Sequence, residues 1–134
     1  MKPWMQYALA FLLFGHGFIY VRIGSTLPEP IKEWNGTSWL LGQAVSDPHL
    51  ETLVVGLHVV AGMVILACAI AIGVPWMLPG WSRPLAMIGG ALGIVAFAVF
   101  WDGQTALLLE EGALGALISL ILLVGAVFSG PAFR

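Results

Sequence analysis

Four apolar runs, at about 4–23, 53–75, 84–101 and 105–128, take up most of the chain, and each comes close to the ~20 residues that a helix needs to cross a bilayer. Backbone inside hydrocarbon has to satisfy its own polar groups, so runs of this kind fold as helices. Composition agrees. Of 134 residues, 60% are hydrophobic and 9% charged, with a mean hydropathy of +0.98, too few charges to cover a water-soluble domain of this size. The expectation is an all-α integral membrane four-helix bundle, one transmembrane domain over 1–134. No basic patch offers itself to nucleic acid.

The first run follows Lys2 and looks at first like a secretion signal. It is longer than a signal core, and Ile23-Gly24-Ser25-Thr26-Leu27 lacks the usual small-x-small cleavage pattern, so it reads as a permanent span. Basic residues orient the set. Lys2, Arg83 and Arg134 fall on one side without an acidic neighbour. The other side holds Arg22 and Lys32 together with Glu29, Glu33, Asp47, Glu51 and Asp102. The basic side is expected to be cytoplasmic, placing both termini inside and the protein in the plasma (inner) membrane. Trp4, Trp76 and Trp81 would mark the inner interface, and Trp34, Trp39 and Trp101 the outer one.

Connections are unequal. Asp102-Gly103-Gln104 between spans three and four, and the Pro/Gly/Trp-rich 75–83 between spans two and three, force antiparallel neighbours. The first loop, about 24–52, is longer. Its LPEP and WNGTSW stretches read as turns with aromatic anchors, and predict a structured cap over the outer end. Asn35-Gly36-Thr37 reads as a turn, though it also satisfies a glycosylation sequon.

Inside these runs stand a few ionisable residues. His16 lies about seven residues before Ile23, and His58 about seven after Glu51. With helices running in opposite directions, both are expected ~10 Å below the outer end, at ~1.5 Å per residue. Glu110 and Glu111 fall about eight residues beyond Asp102, ~12 Å down from the same side. Such groups face the interior and pair, because lipid offers no hydrogen-bond partner. On an unbroken helix Glu111 lies about 40° from Gly115 and Glu110 about 140° away, at ~100° per residue, which selects Glu111 as the inward carboxylate. Span three adds Gly89, Gly90 and Gly93 as packing notches. Phe97, Phe100 and Trp101, with Phe14 and Phe18 of span one, would form an aromatic wall. His49 reads as a solvated or capping loop residue, and Cys68, the sole cysteine, as packing.

Two imidazoles and a carboxylate suit several chemistries. His16 and His58 as axial ligands of haem b, with Gly15 and Gly17 leaving room for the ring, are one. His16, His58 and Glu111 around a zinc, copper or iron ion are another. A third is proton handling or hydrogen bonding to a quinone head group. A fourth is a His–Glu network that only pins helices together. No P-loop, dinucleotide fingerprint, nucleophile elbow, HExxH or CxxC motif occurs, so independent catalysis is not expected.

LVVGLHVVAGMVILACAI (53–70) and ALAFLLFGHGFIYV (8–21) resemble the second and first helices of the small DoxX-like four-helix membrane proteins, with His58 where those relatives often carry a glutamate. The resemblance implies a redox accessory role. The resulting expectation is a small accessory subunit of a membrane redox or energy-converting complex, with His16, His58 and Glu111 contacting a quinone, haem or metal. The alternative is a structural or assembly subunit. Membrane lipid, and other subunits or further copies of the chain meeting its Gly/Ala-rich faces, are the expected partners.

Overall fold

Local chemistry sets where each helix begins and ends. The computed structural model describes residues 2–26, 37–41, 47–103, 105 and 112–128. Pro3 opens α1 (Pro3–Thr26) and Pro48 falls in the first turn of α2 (Asp47–Gly73), positions where a missing N–H costs nothing. Helix α2 stops two residues before Pro75, whose ring disfavours helical geometry in the residue preceding it. Pro84 lies in the first turn of α3 (Ser82–Phe100), which closes on an extended Trp101 whose N–H still donates to the Phe97 carbonyl. Helix α4 (Ala113–Phe128) starts abruptly after Gly112, where φ is +100°, a conformation that a side chain would strain.

The protein is all-helical across the described residues. Helices α1, α2 and α3 are long and apolar enough to cross a membrane, whereas α4 is a shorter apolar helix of 16 residues. The first three match the runs read from sequence within a few residues, α2 beginning six residues earlier than expected. The fourth differs more. Its described helix begins at Ala113, after Gly112 leaves helical geometry, and residues 106–111 of the expected run lie outside the described residues. Glu110 and Glu111 lie outside the described residues, and the 40° reckoning that favoured Glu111 assumed a helix running unbroken through Gly112.

Neighbours in sequence pack on one another, α1 on α2, α2 on α3 and α3 on α4. The ring closes through side chains: Leu13 of α1, Ile65, Cys68 and Ile72 of α2, Ala86 of α3 and Leu122 of α4 share one buried cluster. Two of the contacts are backbone-close. A Cβ on Gly62 would stand 2.7 Å from the Gly17 carbonyl oxygen, and one on Gly90 would stand 2.7 Å from that of Ser119. Close approach through glycine, more than apolar burial, holds helices that have hydrocarbon on their other faces.

At the end where α1 and α3 finish and α2 starts, the described part of the long loop folds back. The Trp39 N–H donates to the Trp101 carbonyl at 2.8 Å, the two indoles lie 5.3 Å apart, and Leu41 packs on Leu50, Val54, Val99 and Phe100. Of the loop expected to cap this end, residues 37–41 are described and make these contacts. Trp34 and the Asn35-Gly36 half of the sequon lie outside the described residues.

Candidate functional site

Four helices contribute to one polar cluster. His16 and Tyr20, one turn apart on α1, face inward and are 5% exposed each. From α4 comes Ser119, fully buried, with Oγ 3.2 Å from His16 Nε2 and 3.5 Å from the Tyr20 hydroxyl. Helix α3 supplies a backbone acceptor: the Tyr20 O–H donates to the Gly93 carbonyl at 3.1 Å. Gly93 is required for this. A Cβ there would overlap the Ser119 hydroxyl and crowd the Tyr20 oxygen at 3.2 Å. The notch therefore admits polar groups as well as a neighbouring helix.

His58 of α2 is 4% exposed and is bound differently. Its Nδ1 lies 2.8 Å from the Val54 carbonyl one turn earlier, and since a carbonyl only accepts, Nδ1 carries the proton. In the neutral ring Nε2 is then an acceptor, and no hydrogen bond to it is formed among the described residues. Its faces are covered by aromatics, Tyr20 stacked at 5.4 Å and Phe100 edge-on at 5.5 Å.

These side chains line a cavity of about 200 Å³. Its polar edge is His16, Tyr20 and His58; its apolar walls include Phe97 and Phe100 of α3 and Leu114 and Ile118 of α4. In this cavity a small head group would meet buried hydrogen-bonding side chains, His16, Tyr20 and His58.

Both predicted histidines thus reach the site, but not at one level. Gly17 packs on Gly62 and Leu66, Gly62 on Val21, and Gly24 on Val55 and Val59, so His58 stands opposite the 21–25 stretch, about five to nine residues or ~7.5–13.5 Å above His16. The two ends used as a common datum, Ile23 and Glu51, are not level: Gly24, next to Ile23, packs against Val55 and Val59, further along α2 than Glu51. Tyr20 fills the offset, 4.9 Å from His16 and 5.4 Å from His58 between ring centres. Sequence reading missed it, although a tyrosine four residues after a buried histidine shares its helix face. Ser119 lies in an apolar run where nothing in the sequence pattern marks it as a partner for His16. Phe97 and Phe100 take their expected places, while Phe14 and Phe18 are more than half exposed and face away.

The geometry discriminates among ligands. A haem held by His16 and His58 needs a macrocycle between the imidazoles, where the Tyr20 ring stands, and a far larger space than about 200 Å³. The donor set does not fit. Among the described residues there is no group of three His, Cys, Asp or Glu side chains able to hold a metal ion, and Glu111 lies outside them. A flat ring with one or two oxygen substituents matches the size, the aromatic walls and the polar edge. Outside the cavity, His49 is exposed in the first turn of α2, and the buried Cys68 thiol points at the Ser82 carbonyl, 3.6 Å away, as a packed core residue.

Searched against family models, curated proteins and solved structures, the chain has no match.

Proposed function

We propose that the chain is an integral membrane protein of the plasma (inner) membrane, with both termini cytoplasmic, and that its four helices hold the head group of a membrane-soluble hydroxyaromatic ligand, a quinol, as an accessory subunit of a membrane redox or energy-converting complex. One observation carries the reading. His58 spends its Nδ1 proton on its own helix, so it makes no hydrogen bond to another helix, and its Nε2 is left as an acceptor in a buried ring that lines the cavity. A buried acceptor without a donor is costly, and a ligand hydroxyl meets that need. Phe97 and Phe100 would flank the ring. The DoxX-like pattern of the first two helices points the same way.

A structural or assembly role is the second reading, favoured by Tyr20 and Ser119, which do tie α1 to α3 and α4. Replacing His58 by Leu separates the two. Measured in detergent on the full chain, the variant is expected to keep its thermal midpoint while losing saturable binding of a short-tailed 1,4-benzoquinol. A fall in the midpoint with binding retained would favour the structural role.

A further inference from the structure

The polar cavity does not end at His16. His16, Ile19 and Ile118 also line a groove of about 340 Å³ between α1 and α4, and that groove shares Leu12 and Ile118 with a further hollow of about 170 Å³. The order along each helix is regular. On α1 the lining runs from Tyr20 through His16 and Leu12 to Leu9; on α4 it runs from Gly115 through Ile118 to Leu122 and Gly125. Beyond the histidine the walls are almost wholly aliphatic. The seven residues from His16 to Leu9 give the hollows a run of ~10 Å along the helix axis.

We infer that the α1–α4 seam is the tail channel of the ligand whose head group the cavity holds: an amphiphile with a linear apolar tail, entering sideways between α1 and α4 and lying toward the Pro3 end of α1. The inference rests on the head-group reading of the cavity. What selects a tail over an unrelated occupant is continuity. The apolar hollows open from the polar one through shared residues, whereas the hollow of about 410 Å³ between α1 and α2 meets the groove only at Phe11 and shares no lining residue with the polar cavity. Oxygen substituents at one end and a chain at the other would fill both parts at once. A ligand without a tail would leave the seam to bulk lipid.

Photolabelling tests this on the full chain in lipid nanodiscs. The probe is a 1,4-benzoquinol carrying a diazirine partway along an alkyl tail, kept reduced, photolysed and mapped by peptide mass spectrometry. Adducts are expected on Leu9, Leu12, Leu13, Ile121 or Leu122, and are lost when excess decyl-tailed quinol without the diazirine is added. In Leu12→Trp, which fills the groove from a half-exposed position, those adducts should disappear while tetramethyl hydroquinone, which has no tail, still binds saturably. Competed adducts on α2 or α3 instead, with tetramethyl hydroquinone still binding, overturn the tail channel and leave the head-group site standing. Labelling that no competitor reduces, together with no saturable binding of the tail-less ring, overturns both.

Discussion

Helix α1 has two neighbours, and its two sides are built on opposite rules. Against α2, Gly17, Gly24 and Gly62 bring backbones so close that a single added carbon would meet carbonyl oxygens or amide nitrogens. Against α4, contact is made by side chains, with a hydroxyl–imidazole contact at its centre and hollows above and below. Glycines show the same split: a Cβ on Gly115, facing that seam, would rest at an ordinary 3.4 Å from Tyr20, and one on Gly15 would meet nothing within 4 Å. Where hydrocarbon solvates every outer face, a close seam is what gives the fold its stability, and an open one is where a ligand can be admitted.

That contrast can be broken at Gly62. Gly62→Ala places its carbon 2.7 Å from the Gly17 carbonyl oxygen and 2.8 Å from the Val21 nitrogen, so helices must part and no rotamer relieves the clash. The expected loss is about 2–3 kcal/mol, read as a lowered unfolding midpoint in detergent. A variant as stable as the parent would remove the reason for treating the α1–α2 seam as the closed one. Tyr20→Phe comes next. It deletes the donor to the Gly93 carbonyl and a neighbour of Ser119, at an expected cost of about 0.5–1 kcal/mol. Combined with Ser119→Ala, the two changes should be less than additive by the same measurement, because both touch one network.

Smallest is the effect expected at the open seam. Gly115→Ala should change stability by no more than about 0.5 kcal/mol, since its Cβ finds ordinary contact distances. The same carbon projects toward His16 and Tyr20 at the cavity wall, so quinol binding should weaken while the midpoint holds. If Gly115→Ala proved as damaging as Gly62→Ala, the two seams would be alike and the comparison would fail.

Much of the helix layout was legible from apolar runs because hydrocarbon permits little else. The limits of α1 and α3 follow from Pro3, Pro84 and the tryptophan at 101, and the notches at Gly89, Gly90 and Gly93 from glycine spacing alone. Harder to read was the register between helices. Counting from presumed ends placed His16 and His58 side by side, whereas the contacts of Gly62 with Gly17 and Val21 shift α2 by about five to nine residues, and only tertiary packing reveals that. Gly112 was equally opaque: glycine in an apolar run serves either as a notch or as a helix start, and here φ of +100° makes it the latter. Tyr20 was overlooked because an aromatic at helical spacing looks like ordinary core, and its role depends on a carbonyl of α3 that no pattern announces.

The central claim concerns one nitrogen, and imidazole ¹⁵N NMR reads it directly. In full-length protein with labelled histidine, titration with a decyl-tailed quinol should move the Nε2 resonance of His58 saturably and leave its Nδ1, bonded to Val54, nearly in place; the exposed His49 should not respond. A His58 Nε2 signal that stays put through saturation, or moves no more than that of His49, would contradict the account.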